Sequence, residues 1–319
     1  MKSIRSFISL CFLAYCSFIS AQQPGSGSLK TDLKNITYKV TSANDSVKLD
    51  IYQPANPKGE KKPVVLYIHG GGWAKGDKDF TSYYYTTSLK DTLQANGYAF
   101  VSINYRLVDK QHNLSDQISD CRDALKWIID HADTYHFDVD NIGLFGESAG
   151  AHLALMLAYT DKPDTYSDFR ARYIVDNFGP TDLNKVLKTN ASVVTKVVYK
   201  LLLPELYNLR EKLVKAMTTY DINTQKEQAM AVASYYSPIT YIDTAHKIPT
   251  LMLHGTKDFI VPIKQSKKLQ KALDKHEIEN ELVKVRKGDH GFQNISKPEL
   301  QKLLHTTYLF IRQHTGNTI

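Results

Sequence analysis

Apolar runs of strand length alternate with amphipathic stretches of helix length along most of the chain. Residues 47–52 (VKLDIY) alternate apolar and polar positions, the pattern of an early antiparallel strand covered on one face. Residues 63–69 (PVVLYIH) and 98–105 (YAFVSINY) are nearly continuous apolar runs, as strands buried on both faces require. Shorter segments at 142–145, 173–177, 250–254 and 281–285 complete the set of strands. Between them, residues 81–95, 116–134, 148–160, 264–275 and 297–314 carry apolar positions at helical spacing. This alternation predicts an α/β fold, with an open, mostly parallel central sheet and helices on both faces.

One stretch breaks the rhythm. Residues 181–240 form a connection of about sixty residues with apolar helical runs such as 193–203. So long a connection is usually functional when it is ordered. Its apolar, tyrosine-bearing content predicts a helical lid over the carboxyl ends of the strands. No internal repeat is visible, and Gly and Ser cluster only at 24–28.

The N-terminus adds a processing signal. Lys2 and Arg5 precede an apolar stretch at 6–20, and Ala21 ends it before a polar run. This is the layout of a secretory signal cleaved after residue 21, so a secreted or periplasmic location is expected. The mature chain then has a segment at 22–46 followed by the main domain at 47–319. Lipid attachment at Cys16 is the competing reading, but Tyr15 is a poor fit to the small residue expected before such a cysteine. No later run approaches 18 apolar residues, so no stable membrane insertion is expected.

Removing the leader takes Lys2 and Arg5 away and lowers the formal charge from +7 to +5. The remaining excess is spread over many helical faces and recruits no nucleic acid. Cys11 and Cys16 leave with the leader. Cys121 is left without an internal disulfide partner and reads as a small packed residue on a helix. Oligomeric state is not encoded in these patterns.

Chemistry enters at Gly146-Glu147-Ser148-Ala149-Gly150, between an apolar strand and a helical run. That context suits a sharp turn that exposes the Ser148 hydroxyl, with flanking glycines relieving the crowding. Upstream, His69-Gly70-Gly71-Gly72-Trp73 follows a strand directly. Three glycines let the backbone approach a ligand, and the N–H groups of Gly71, Gly72 and Ala149 are the expected oxyanion donors. His69 is expected to brace the loop.

A serine nucleophile needs a base, and the base needs an orienting acid. Of eleven histidines, His290 in Gly288-Asp289-His290-Gly291-Phe292 lies just past the last predicted strand. Asp258 lies just past another, in His254-Gly255-Thr256-Lys257-Asp258. Asp289 is the rival acid, but an immediate chain neighbour reaches back to the imidazole with difficulty. Trp73 and Tyr84 are candidate substrate contacts, against the simpler reading of core and rim packing. No cofactor or metal is called for.

The four motifs HGGGW, GESAG, HGTKD and GDHGF together resemble the α/β-hydrolase esterases of the hormone-sensitive-lipase-like and feruloyl-esterase-like group. The resemblance runs from about residue 47 to 310, and residues 181–240 depart from it. It implies an α/β-hydrolase fold and a serine carboxylesterase with Ser148, Asp258 and His290 as its triad. It also implies short acyl or phenolic esters, small or linked to plant polysaccharide, as substrates. A secreted serine exopeptidase or a lipase would share the fold and the triad. The exopeptidase reading lacks the large extra domain such enzymes commonly carry, and the lipase reading meets a lysine-rich insertion.

Overall fold

Residue-by-residue alternation in strand β3 (Lys62–Ile68) sorts the interior into two layers. Val64, Leu66 and Ile68 enter one apolar cluster, and Val65 and Tyr67 enter the other, all of them buried. β4 (Ala99–Ile103) repeats the division, with Val101 on one side and Phe100 on the other. This computed structural model describes residues 31–54, 60–160, 171–189, 191, 200–201 and 204–316. The expected leader at 1–21, Cys16 and most of the apolar run at 193–203 lie outside them.

The eight described strands run in the order β1-β2-β4-β3-β5-β6-β7-β8. β1 (Thr31–Val40) and β2 (Ser46–Gln53) are antiparallel to each other, and β2 is antiparallel to β4. From β4 onward, through β3, β5 (Phe137–Glu147), β6 (Ile174–Asn177), β7 (Thr250–Gly255) and β8 (Asn280–Val285), every pairing is parallel. The first core layer includes Ile118, Cys121 and Leu125 of α2 (Leu114–Asp130), Ala132 of α3 (Ala132–Tyr135), and Leu153 and Leu157 of α4 (Ala149–Tyr159). The second includes Leu89 and Leu93 of α1 (Tyr84–Ala95), which packs beside the carboxyl-terminal helix Lys297–His314. Helices on both faces of a mostly parallel sheet are the expected α/β-hydrolase architecture.

Two strands differ from the expected ones. The sheet starts at Thr31, inside the segment at 22–46 that the pattern left outside the main domain. β1 is a polar edge strand with irregular register, anchored by the Tyr38 hydroxyl donating to the Asn104 carbonyl at 2.7 Å. Such a strand carries little apolar signal. β5 starts at Phe137 rather than 142, because Asp138 and Asp140 interrupt the apolar run where the register against β3 shifts.

The insertion is helical where it is described. It contains α5 (Leu183–Val186), α6 (Pro204–Thr218), α7 (Lys226–Tyr235) and a 3₁₀ turn at Pro238–Thr240. One bond ties it to the helix Lys264–Lys275 and two brace it internally. Thr181 N–H donates to Gln265 Oε1 at 2.9 Å, Leu183 N–H to Ser237 Oγ at 2.9 Å, and Asn184 Nδ2 to the Met230 carbonyl at 3.0 Å.

A buried carboxylate joins α2 to the loop after β4. Asp120 has a fully buried side chain and accepts from Arg106 Nε and Nη2, from the Arg106 backbone N–H and from Lys39 Nζ. Burial by itself would raise its pKa, but these charge-assisted bonds outweigh burial and hold it below the usual carboxylate range. Asp120→Asn should cost about 1–3 kcal/mol in urea unfolding, because a neutral amide replaces the buried carboxylate that accepts charge-assisted bonds from Arg106 and Lys39. The folded-state pKa is depressed, so this stability is present above the unfolded value of ~3.9 and fades as pH falls through the folded value. Parent and variant should therefore converge in acid, and a pH-independent difference would contradict this account.

Candidate active site

β5 ends at Glu147 and α4 begins at Ala149, so Ser148 alone makes the turn between them. Its φ of 52° and ψ of −118° lie where non-glycine residues are strained. The turn closes only because its neighbours have no side chains. A Cβ on Gly146 would sit 2.4 Å from Gly150 backbone atoms, and one on Gly150 would sit 2.0 Å from the Ile68 carbonyl oxygen. Ser148 N–H donates to the Asn177 carbonyl at 2.8 Å, which fixes the elbow to β6.

The glycine loop after β3 lies against this elbow. A Cβ on Gly70 would stand 2.8 Å from the Glu147 carbonyl oxygen and 3.4 Å from Ser148 Cβ. Gly71 (φ 117°) and Gly72 (φ 60°) take conformations that L side chains rarely adopt. Lys75 N–H donates to the Gly71 carbonyl, while the N–H groups of Gly71 and Gly72 have no partner among the described residues. Ala149, the first residue of α4, has no N–H partner one turn back.

His69 braces the loop as expected. Its ring stacks on Tyr105 at 4.3 Å, its Nδ1–H donates to the Gly70 carbonyl, and the Tyr105 hydroxyl donates to the His69 carbonyl. Burial lowers its pKa to about 4, so it stays neutral at ordinary pH.

Trp73 requires a correction. It was a candidate for stacking on substrate, yet it is 3% exposed and belongs to the core. Its indole N–H donates to His152 Nδ1 at 3.1 Å, and its carbonyl accepts from Gln117 Nε2 at 2.7 Å. His152 Nδ1 is thereby the acceptor, so Nε2–H donates to the Tyr236 carbonyl at 2.7 Å. Burial lowers the His152 pKa to about 4, which fits this neutral tautomer. The indole turns inward because it is the link between the glycine loop, α4 and the insertion.

Tyr84 is 60% exposed in the first turn of α1. Thr86, two residues on, donates to Glu147 Oε1 at 2.9 Å and so places that turn beside the elbow. Glu147 also accepts from the Tyr67 hydroxyl at 2.8 Å. Burial raises its pKa, against the pull of these two hydrogen bonds.

Ser148, His290 and Asp258 are in contact. His290 Nε2 is 2.9 Å from Ser148 Oγ, and His290 Nδ1 is 2.7 Å from Asp258 Oδ2. Asp258 Oδ1 accepts from the N–H groups of Ile260 and Val261, both at 2.9 Å. Burial would raise the Asp258 pKa, but the neighbouring His254 and the hydrogen bond to His290 outweigh it and leave the carboxyl well below its ordinary range. The rival Asp289 is occupied elsewhere, its carboxylate accepting from Gln293 N–H at 2.9 Å.

Two contacts were not foreseen from the sequence. His254 Nε2–H donates to the Val261 carbonyl at 2.7 Å and lies 3.4 Å from Asp258 Oδ2, so a second histidine faces the acid. Phe178 (φ 49°) sets its ring 4.6 Å from that of His290 and 5.1 Å from that of Phe292. HGTKD places His254 four residues before the acid, a signal that could have been used. Nothing local marks Phe178.

A family model described as BD-FAE matches residues 49–273. The chain belongs to the BD-FAE family. Among curated proteins it is similar to arylacetamide deacetylase of Bos taurus, 36% identical over 130 residues, with 40% of this chain and 32% of that protein covered. It is also similar to esterase LipC of Mycobacterium tuberculosis, 23% identical over 275 residues, with 83% and 62% covered. The chain thus spans less than two thirds of these relatives' lengths. In structure, this BD-FAE chain is similar to a truncated form of a carbohydrate esterase from gut microbiota, with a TM-score of 0.65 and 20% identity over 91% of this chain and 99% of that one. It is also similar to a bifunctional GH43-CE protein of Bacteroides eggerthii, with a TM-score of 0.64 and 26% identity over 89% and 38%.

Trp73→Phe keeps an aromatic ring but leaves His152 Nδ1 without its donor. It should lower stability by about 1–3 kcal/mol in chemical unfolding. An unchanged unfolding midpoint would show that the indole bond to His152 contributes nothing to holding the loop.

Proposed function

We propose that the protein is a secreted serine carboxylesterase acting on short acyl or phenolic esters, including acetyl or feruloyl groups on polysaccharide. The observation that carries the reading is the Ser148–His290–Asp258 chain of contacts at 2.9 and 2.7 Å, on an elbow touched by the glycine loop. Family membership and the curated relatives favour ester hydrolysis, and the carbohydrate-esterase neighbours favour the polysaccharide substrate.

In this mechanism His290 Nε2 removes the proton from Ser148 Oγ, which attacks the ester carbonyl. The N–H groups of Gly71, Gly72 and Ala149 receive the developing oxyanion, and they need no reorganisation because no other partner holds them. His290 then protonates the departing alcohol. Asp258 keeps the His290 Nδ1–H tautomer in place and stabilises the imidazolium. Water, activated by His290 in turn, releases the acid and restores Ser148. Tyr84 is assigned to the rim that meets the substrate, and residues 181–240 to the lid. Export rests on the leader pattern at residues 1–21.

Ser148→Ala should reduce turnover of p-nitrophenyl acetate by about 10⁴–10⁶-fold with the fold retained. A fluorophosphonate should label the parent at Ser148 and leave the variant unlabelled. Near-parental turnover in the variant would end the assignment. Acetylated xylan, methyl ferulate, a long-chain ester and an aminoacyl anilide, assayed side by side, separate polysaccharide esterase from lipase and peptidase. Release of acetate or ferulate at the highest kcat/KM is the expected result.

A further inference from the structure

A second cavity lies at the far end of α4 from Ser148. It encloses about 180 Å³ between the Ser115, Ile118 and Arg122 face of α2, the end of α4 and the last turn of α7. Arg122, Met156, Tyr159, Tyr235, Tyr236 and Tyr241 form most of its wall. Met156, the first residue of α4 in its wall, follows Ser148 by two turns of helix, which puts it about 12 Å along the axis at 1.5 Å per residue. The cavity is therefore separate from the reacting groups.

Its electrostatics are unusual. Each nearby acid of α2 is already paired, Asp116 and Asp120 with Arg106 and Asp123 with Lys39. The Arg122 guanidinium has no carboxylate partner among the described residues. It is steered only by Nη2 donating to the Thr160 carbonyl at 2.9 Å and to Thr160 Oγ1 at 2.7 Å. Burial lowers its pKa from the usual arginine value, so the cation is partly desolvated and makes no ion pair among the described residues.

The aromatic wall is just as open. Tyr235 is 60% exposed at the rim, with its ring edge-on to Tyr236 at 4.9 Å and to Tyr241 at 6.2 Å. A tyrosine face offers flat apolar contact at small conformational cost, and a guanidinium fork matches a carboxylate bidentately. The volume is below the range of drug-sized sites and suits a single ring.

We propose that this cavity is a binding site for a ring bearing a carboxylate, either a sugar acid or an aromatic acid, with the ring on Tyr235 and the carboxylate on Arg122. The site acts independently of the reaction at Ser148. It would hold an acidic sugar of a polymer, or an acidic aromatic product, beside the enzyme rather than in its reacting centre.

Calorimetric titration of the full chain with glucuronate against glucose, and with benzoate against benzyl alcohol, tests this. At least one acid should bind about tenfold more tightly than its neutral partner. Arg122→Gln should remove that preference, and Arg122→Lys should restore part of it. Tyr235→Ala, which alters an exposed ring and serves if Arg122→Gln does not fold, should weaken the acid several-fold. Ser148→Ala should bind the acid like the parent. Preference for glucuronate identifies a sugar-acid site, and preference for benzoate an aromatic-acid site. Equal binding of acid and neutral partner, undiminished binding in Arg122→Gln, or loss of binding in Ser148→Ala would each overturn the proposal.

Discussion

The backbone at Ser148 is the constraint on which the site depends. A φ of 52° at a non-glycine residue costs on the order of 1–3 kcal/mol, and the surroundings must impose it. Three close approaches do so. Gly146 lets α4 turn back onto β5, Gly150 lets α4 touch the end of β3, and Gly70 lets the glycine loop rest on the elbow. A methyl group at any of the three would overlap backbone, which cannot move aside as a flexible side chain can. The hydroxyl is thereby presented at the head of a helix, where the N–H groups of Gly71 and Gly72 in the adjoining loop have no partner among the described residues.

Around this strained point, the histidines divide by environment. His69 and His152 are buried, held neutral near a pKa of about 4, and fixed in one tautomer each by backbone carbonyls. They act as structural hydrogen-bonding parts, His69 within the glycine loop and His152 on α4. His290 keeps partial exposure and touches both a hydroxyl and a carboxylate, the arrangement of a proton carrier. His254 shares the acid with it, but its Nε2–H is directed to a carbonyl.

Motifs that demand special backbone were readable as letters. GESAG, HGGGW, HGTKD and GDHGF pointed to the elbow, the glycine loop, Asp258 and His290, because glycines at tight turns and polar side chains just past apolar strands leave a local signature. Buried parallel strands were readable for the same reason, as unbroken apolar runs. β1 was not, since an edge strand buries little and its sequence DLKNITYKV is mostly polar. The fate of Trp73 was hidden as well. An indole beside a glycine loop can face a ligand or the core, and only the position of His152 decides between them.

The amino-acid pattern alone settled the α/β class and the glycines without which the elbow cannot close, and it singled out Ser148, Asp258 and His290 as candidates. These follow from local backbone geometry and from burial patterns with periods of a few residues. Tertiary structure decided which groups touch. It brought residues 148, 258 and 290 within hydrogen-bond reach, set Phe178 against the imidazole, turned Trp73 inward, and placed Arg122 among four tyrosines with no acid paired to it among the described residues. Contacts between residues distant in the chain depend on packing and on which charges are already paired, and neither quantity has a local sequence pattern.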